Sequence, residues 1–222
     1  MATVPFPTRH PPLRFAAETA DPRASRLVEA AYDLLDEGGL EGLTIRAVLS
    51  RTGLARRAFY DNFSGKDDLV LAVFEQTIRL ATSYYRSLAA TTVDPMERLS
   101  VIVSSIALGA ADIDPDDEGG SGHQRNAALA REHLRLADSR PLELQQALAP
   151  LLDLIAQYLR DGIAAGQIRA CDPEMTASLI YNLLSTTMHT ELIAQQGDRP
   201  DRVHRLAMAA EIWEFCRRAI AA

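Results

Sequence analysis

Apolar residues recur at helical spacing along almost the whole chain, and no segment alternates apolar and polar residues as a strand does. Asp21 as an N-cap and Pro22 at the first helical position predict the start of the first helix. Gly38 and Gly39 are predicted to end it. Its apolar face consists of Leu27, Val28, Ala31, Leu34 and Leu35. Because this periodicity continues to the end of the chain, the sequence predicts an all-α protein.

Two short helices joined by a glycine turn follow the first helix. Thr44 can cap a helix that ends near Arg51, and Gly53 lies in the turn to a third segment that ends near Phe63. Ser64 opens a fourth helix, since Ser-Gly-Lys-Asp has the spacing of a capping box. Two short helices around a glycine turn, braced by a longer preceding helix, predict a helix-turn-helix.

The third segment has one apolar and one polar side. Phe59 and Phe63 lie four residues apart and are predicted to face the core. The outward faces, where base edges and phosphates would lie, carry Arg56, Arg57, Tyr60 and Asn62. Lys66 lies in the first turn of the next helix, where its charge opposes the helix dipole and a bound phosphate would offset that cost. A solvated lysine beside two aspartates is the other interpretation, and position alone does not separate the two.

Three regions are predicted along the chain. Residues 1–20 contain four prolines within the first twelve residues, which predicts a disordered or extended N-terminal extension. Residues 21–66 form the helix-turn-helix domain, and residues 67–222 form a second, helical domain. Within the second domain the segment "DIDPDDEGGSG" is predicted to be a loop rather than a metal site, because it lacks the ligand order of a calcium loop. The last helix is predicted to open at Pro200 or Asp201.

The last two helices are apolar around more than half of their circumference, which is too much for a helix with one side in water. We expect them to pair with their two-fold mates in a homodimer. The alternative is that they form the interior of a monomer. The predicted interface residues are Leu179, Leu183, Met188, Leu206, Ala209 and Trp213.

Composition narrows the class of protein. The 222 residues carry a net charge of −7, but residues 44–66 hold five basic side chains and one acidic, a net charge of +4 that leaves −11 for the remainder. This asymmetry predicts one basic face on an acidic body.

The apolar stretches are far shorter than the roughly 20 residues that span a bilayer, so we expect a cytoplasmic protein with no membrane partner. Neither the two cysteines nor the five histidines have the spacing of a metal, redox or catalytic site. We therefore expect no cofactor, no metal and no enzymatic activity.

The segment "LTIRAVLSRTGLARRAFYDNFSGKDDLVLAVF" resembles the DNA-binding region of the TetR family of bacterial transcriptional regulators. The pattern is carried by Thr44, Gly53, Tyr60, Phe63 and Lys66, and the match extends over about residues 24 to 72. The resemblance implies that Thr44, Tyr60 and Lys66 contact phosphates. It also implies that Arg46, Arg56 and Arg57 approach bases or the backbone. Ala55 departs from the family pattern, in which a serine often caps the recognition helix.

The resemblance further implies a dimeric repressor that binds a palindromic double-stranded DNA operator and is released by a small-molecule effector. The effector would occupy a cavity in the second domain. Candidate lining residues, each of which could equally be ordinary core, are Tyr84, Ile106, His133, Tyr158, Tyr181 and His189. Because none carries a fixed charge, we expect a largely apolar ligand that is uncharged or weakly cationic. An all-α enzyme and an architectural DNA-binding protein without an effector are the alternative functions.

Overall fold

The computed structural model describes residues 21–108, 123–194 and 202–222. In these ranges the chain is helical and contains no strand, which confirms the all-α prediction. The helices are α1 (Pro22–Gly42), α2 (Ile45–Thr52), α3 (Arg56–Tyr60), α4 (Lys66–Ala89), α5 (Pro95–Leu108), α6 (His123–Ser139), α7 (Pro141–Ala164), α8 (Pro173–Ala194) and α9 (Arg202–Ile220). The predicted N-terminal extension, the "DIDPDDEGGSG" loop and the predicted opening of the last helix lie outside the described residues.

The start of α1 follows the sequence prediction. The Asp21 carboxylate accepts a hydrogen bond from the Arg23 backbone N–H at 3.0 Å, and Pro22 occupies the first helical position. The regular part of α1 ends at Gly39, whose φ of 57° and ψ of −156° are not helical and favour glycine. A short helical piece continues from there to Gly42.

The described residues divide into two compact units that do not follow the chain order. One unit contains residues 21–77 and 123–147, and α6 packs there against α1. The other contains residues 78–108, 148–194 and 202–222, and α5 packs there against α8 and α9. We call them the helix-turn-helix unit and the α5–α8–α9 unit. Both α4 and α7 therefore contribute residues to each unit.

Each unit has its own apolar core. Leu27, Leu35, Val48 and Phe59 are fully buried in the helix-turn-helix unit. The α5–α8–α9 unit buries Leu99, Ile102, Leu154, Ile155 and Leu184. No helix in the described ranges is long and apolar enough to cross a membrane.

The loop after α7 packs the Ile168 side chain against Gly162 near the end of α7. A Cβ atom on Gly162 would clash with the Cδ1 and Cγ1 atoms of Ile168, so a larger residue there would force this side chain to shift. Ile168 forms an antiparallel bridge with Ala221, and the Arg169 N–H donates to the Ile220 carbonyl at 2.9 Å. These bonds tie the end of α9 to the loop that follows α7.

Candidate nucleic-acid interface

The two short helices are joined as the sequence predicts. The Thr44 hydroxyl accepts a hydrogen bond from the Ala47 N–H at 3.1 Å and so caps α2. Gly53 has φ 66° and ψ 13°, the left-handed conformation that favours glycine, and its N–H donates to the Leu49 carbonyl at 2.9 Å. These two residues define the beginning and end of α2, and therefore the turn that leads to α3.

α3 separates its packing side chains from its outward side chains. Ala58 and Phe59 are buried, and the rings of Phe59 and Phe63 lie 5.7 Å apart, so both phenylalanines face the core. Arg56, Arg57 and Tyr60 are exposed. The helix has only five residues, because Asp61 and Asn62 form a turn, and its predicted end near Phe63 is wrong by three residues. Ala55 provides no side-chain cap, as the sequence implied.

The outward side chains of α3 contact one another. The Arg56 guanidinium lies 5.5 Å from the centre of the Tyr60 ring, and its Nη2 donates to the Tyr60 hydroxyl at 3.3 Å. This hydrogen bond raises the pKa of Arg56 above its usual value. Arg57 is 91% exposed, with its Nε atom 3.9 Å from an Asp61 carboxylate oxygen. Both guanidiniums are therefore accessible from solvent on one short helix.

Arg46 and Thr44 extend this exposed surface at the start of α2. Among the described residues the Arg46 side chain makes no ion pair or hydrogen bond, so its donors are free to bind an anion. We call the exposed set the α2–α3 surface. It consists of Thr44, Arg46, Arg56, Arg57 and Tyr60.

Other polar residues of the predicted site are engaged within the chain. The Lys66 ammonium donates to the Leu40 carbonyl at 3.0 Å, beside the end of α1. The Asn62 amide donates to the Ala58 carbonyl at 2.9 Å. Sequence position alone does not reveal these contacts, because they depend on how the end of α1 and the turn after α3 are placed.

Arg51, which contributes to the basic count in the sequence, forms a bidentate ion pair with Glu37. Its two terminal nitrogens lie 2.7 and 2.6 Å from the Glu37 carboxylate oxygens. The hydrogen bond with Arg51 lowers the pKa of Glu37 below its usual value. The basic face is therefore smaller than the charge count predicts, because the Glu37 carboxylate on α1 compensates the charge of Arg51.

The first turn of α4 is held by arginines from the end of α6 and the residue after it. Arg135 is bidentate with Asp67, with both nitrogen–oxygen distances 3.1 Å, and Arg140 pairs with Asp68. The Ser64 N–H donates to Asp68 at 2.9 Å, so the capping partner is Asp68 and not the predicted Asp67. Asp67 instead pairs with Arg135 of α6.

The predicted ligand-lining residues are divided between the two units. Tyr84, Tyr158 and Tyr181 are buried in the α5–α8–α9 unit, where Ile106 and His189 are half-buried. His133 lies in the helix-turn-helix unit, with its ring 6.0 Å from that of Phe74, and is therefore not grouped with the other five. Burial raises the pKa of Tyr181, and burial raises that of Tyr85, a further buried tyrosine that sequence reasoning missed.

The predicted dimer residues also differ in exposure. Leu179 is 61% exposed and Leu206 is 47% exposed, whereas Leu183, Met188 and Trp213 are half-buried. Ala209 is buried by its own chain, at 3% exposed, because the rotation of α9 turns this position toward the core of its own unit. Its inclusion in the predicted interface is therefore not supported by its position. Sequence reasoning missed Met175, Val203 and Phe215, which are all exposed.

Comparisons with known proteins agree with this geometry. Residues 27–73 match the family model described as bacterial regulatory proteins of the tetR family. Residues 135–218 match the model described as the C-terminal domain of AefR-like transcriptional repressors, so the two matches together cover more than half of the chain. A search of curated protein sequences finds no significant match.

Solved structures with the same fold are distant in sequence. The fatty acid degradation regulator FadR from Bacillus halodurans is 16% identical over 90% of this chain and 96% of its own, with a TM-score of 0.65. Reduced NemR from E. coli is 14% identical over 90% and 97%, with a TM-score of 0.64. FadR from Bacillus subtilis, solved in complex with stearoyl-CoA, is 17% identical over 86% and 96%, with a TM-score of 0.55. At these identities the likeness establishes the fold.

A helix-turn-helix with an outward arginine-rich α3, followed by further helices, defines a DNA-binding transcriptional regulator. The chain belongs to the TetR family.

Proposed function

We propose that the chain acts as a homodimeric repressor that binds a palindromic operator and is released by a small-molecule effector. The observation that carries the DNA-binding part is the division of α3, in which Phe59 packs inward while Arg56, Arg57 and Tyr60 point outward. Arginine donors on such a helix can reach guanine edges in the major groove, and Tyr60 and Thr44 can donate to phosphates.

Dimerisation is supported by exposed apolar side chains on α8 and α9. Soluble monomers rarely expose many large apolar groups on neighbouring elements, because their hydration is unfavourable. The exposed residues are Met175, Leu179, Val203, Leu206 and Phe215. A two-fold pairing through these helices would remove their side chains from water and place two recognition helices in one particle.

The effector proposal rests on the interior of the α5–α8–α9 unit. Tyr84, Tyr85 and Tyr181 are buried there, and the rings of Tyr84 and Tyr85 lie 6.1 Å apart. Tyr158, Thr82 and Ser105, which also carry hydroxyls, are buried in the described part of the same unit. A ligand that bound among these hydroxyls and their apolar neighbours would be apolar and uncharged, with one or two hydrogen-bonding groups. A phosphorylated ligand such as stearoyl-CoA would instead call for arginine or lysine.

Selection of duplexes from a random-sequence library by the purified protein tests the DNA-binding proposal. We expect a palindrome whose half-site centres lie about one helical turn or slightly more apart, since two recognition helices on one face of B-DNA are roughly 34 to 36 Å apart. Enrichment of a single, non-repeated site would contradict the dimeric mode of binding.

A thermal-shift screen of small molecules, with hits retested for release of the selected duplex, tests the effector proposal. We expect active compounds to be apolar and uncharged or weakly cationic. If the only compounds that stabilise the protein and release DNA are polyanions, the proposed ligand chemistry is wrong.

A further inference from the structure

The arginines of α2 and α3 differ in which guanidinium nitrogens are already engaged within the chain. Both terminal nitrogens of Arg51 bind the Glu37 carboxylate, at 2.7 and 2.6 Å. A terminal nitrogen of Arg56 donates to the Tyr60 hydroxyl at 3.3 Å, and its guanidinium lies over the Tyr60 ring. Recognition of guanine in the major groove needs two donors aimed at its O6 and N7 atoms. Arg51 and Arg56 are therefore less suited to this contact than an arginine with both terminal nitrogens free.

Arg57 has this free pair of nitrogens. Its side chain is 91% exposed, and among the described residues its guanidinium has one polar partner, the Asp61 carboxylate one helical turn later. The contact is made by the Nε atom, which lies 3.9 Å from Asp61 Oδ2. Because Nε lies on the side of the planar guanidinium, the pair leaves the two terminal nitrogens open as a fork for guanine. Asp61 thereby restricts the direction of this fork without occupying it.

Asp61 lies where two electrostatic fields disfavour a carboxylate. It is the C-cap residue of α3, and a negative charge is unfavourable there because the helix dipole is negative at its C-terminal end. It also shares the outward face of Arg57, four residues earlier, where DNA phosphates would repel it. Within the described ranges, Arg57 is the one side chain that pairs with the Asp61 carboxylate. The contact with Arg57 is therefore the favourable interaction that this carboxylate makes.

We propose that Asp61 is a positioning residue for base recognition, which holds the Nε side of Arg57 while the two terminal nitrogens of Arg57 bind one guanine. This inference rests on the proposed operator-binding function and deepens it, since Asp61 is not among the DNA-binding residues predicted from the sequence. An exposed ion pair is weak in water, but it strengthens when DNA excludes water from it, because the effective dielectric constant falls. The Arg57 side chain then loses less freedom on binding than an unpaired arginine would.

The same carboxylate selects against DNA that lacks this guanine. On such DNA the fork of Arg57 has no acceptor at the base edge, while the phosphates still repel Asp61. Asp61 therefore lowers affinity for unrelated sequences more than affinity for the operator. Its expected effect is on the preference between sequences and not on affinity alone.

The test is a double-mutant cycle of Asp61→Asn and Arg57→Ala on the duplex that the full chain selects from a random-sequence library. Asp61→Asn keeps the shape of the side chain and removes its charge. Fluorescence anisotropy measures affinities for the selected duplex, for versions of it with single base-pair changes and for an unrelated duplex. Glu41→Gln is the control, because it removes the same charge from an exposed position at the end of α1 in the same unit. Thermal unfolding of each protein checks that the fold is retained.

We expect Asp61→Asn to lower discrimination at the base pair read by Arg57 by about threefold in each half-site. Because a dimer has two half-sites, preference for the selected duplex over the unrelated one falls by on the order of tenfold. Asp61→Glu, which keeps the carboxylate, retains this discrimination, and Glu41→Gln leaves it unchanged. In the Arg57→Ala background, Asp61→Asn causes no further loss at that base pair, because the residue through which Asp61 acts is absent.

A loss of discrimination in Asp61→Asn no larger than that in Glu41→Gln would overturn the positioning role, as would an equal loss with and without Arg57. A uniform loss over all duplexes in Arg57→Ala would also overturn it, because Arg57 would then contact a phosphate. In these cases the full chain still binds its selected duplex, so the proposed function stands. If the full chain selects no duplex, the proposed function itself fails, and the positioning role fails with it.

Discussion

α3 and the α8–α9 pair both present large side chains to solvent, but their chemistry is opposite. α3 exposes Arg56, Arg57 and Tyr60 and buries Phe59. α8 and α9 leave apolar side chains outward, with Leu179 61% exposed and Phe215 65% exposed. Water solvates guanidinium groups well, whereas exposed apolar area favours burial. This difference supports the two proposals that α3 binds a polyanion and that α8 and α9 bind an apolar surface.

The sharpest test of this contrast compares two adjacent aromatic residues on α3. Phe59→Ala removes a fully buried ring and is expected to cost about 3 to 5 kcal/mol of unfolding free energy. Tyr60→Ala removes a ring that is 46% exposed and is expected to cost less than about 1 kcal/mol while weakening DNA binding. Urea unfolding measures both values. Equal losses would mean that α3 does not separate packing from recognition.

The apolar side of the comparison is tested at α8. Leu179→Arg places a charge on the exposed face without disturbing the core of its own chain, so we expect a folded monomer and a loss of operator affinity of about 100-fold. Sedimentation velocity and anisotropy report the two effects. Val93→Arg is the matched control, since Val93 is 87% exposed in the turn before α5. If the Leu179→Arg variant still sediments as a dimer, the dimer interface does not include Leu179.

The base-reading role of α3 is tested at Arg57. Arg57→Ala is expected to remove about 1 to 3 kcal/mol of discrimination at one base pair, if the guanidinium is bidentate to guanine. Affinities for a panel of operators with single base changes measure the loss. Arg86→Ala serves as a control for the removal of an exposed charge. A uniform loss over the whole panel would assign Arg57 to a phosphate.

Substitution of Lys66 is expected to give the smallest effect, and the role of its ammonium has two interpretations. Lys66→Met keeps the aliphatic stem and removes the ammonium, which donates to the Leu40 carbonyl. We expect stability to fall by about 1 kcal/mol and the salt slope of a dimer to fall by about 1.8. Unfolding curves and salt titrations separate these two quantities. An unchanged slope would leave Lys66 as a tether of α1 without a phosphate contact.

Local features of the fold were predictable from the sequence. The caps at Asp21 and Thr44, the left-handed Gly53 and the inward pair Phe59 and Phe63 each depend on residues within a few positions of one another. Capping, turn geometry and helical periodicity act over such distances. For this reason the helix-turn-helix was recognisable before its structure was known.

Features that depend on tertiary placement were not predictable. Asp67 forms an ion pair with Arg135, whereas the adjacent Asp68 accepts the hydrogen bond from the Ser64 N–H at the start of α4. The pairing of Arg51 with Glu37 joins residues of different helices. Ala209 turns inward because the rotation of α9 about its axis is set by its contacts and not by its composition. None of these contacts and orientations corresponds to a short-range pattern in the sequence.

The division of α3 into packing and outward side chains also has an evolutionary consequence. Substitutions at the exposed Arg56 or Arg57 leave the contact of Phe59 with Phe63 untouched, so we expect changes at these two positions to carry little penalty in folding. After gene duplication, one copy could therefore acquire a new target sequence through a few codon changes at these exposed positions, with the core of its helix-turn-helix unchanged. Orthogonal pairs of regulator and promoter are accessible to directed evolution by the same route.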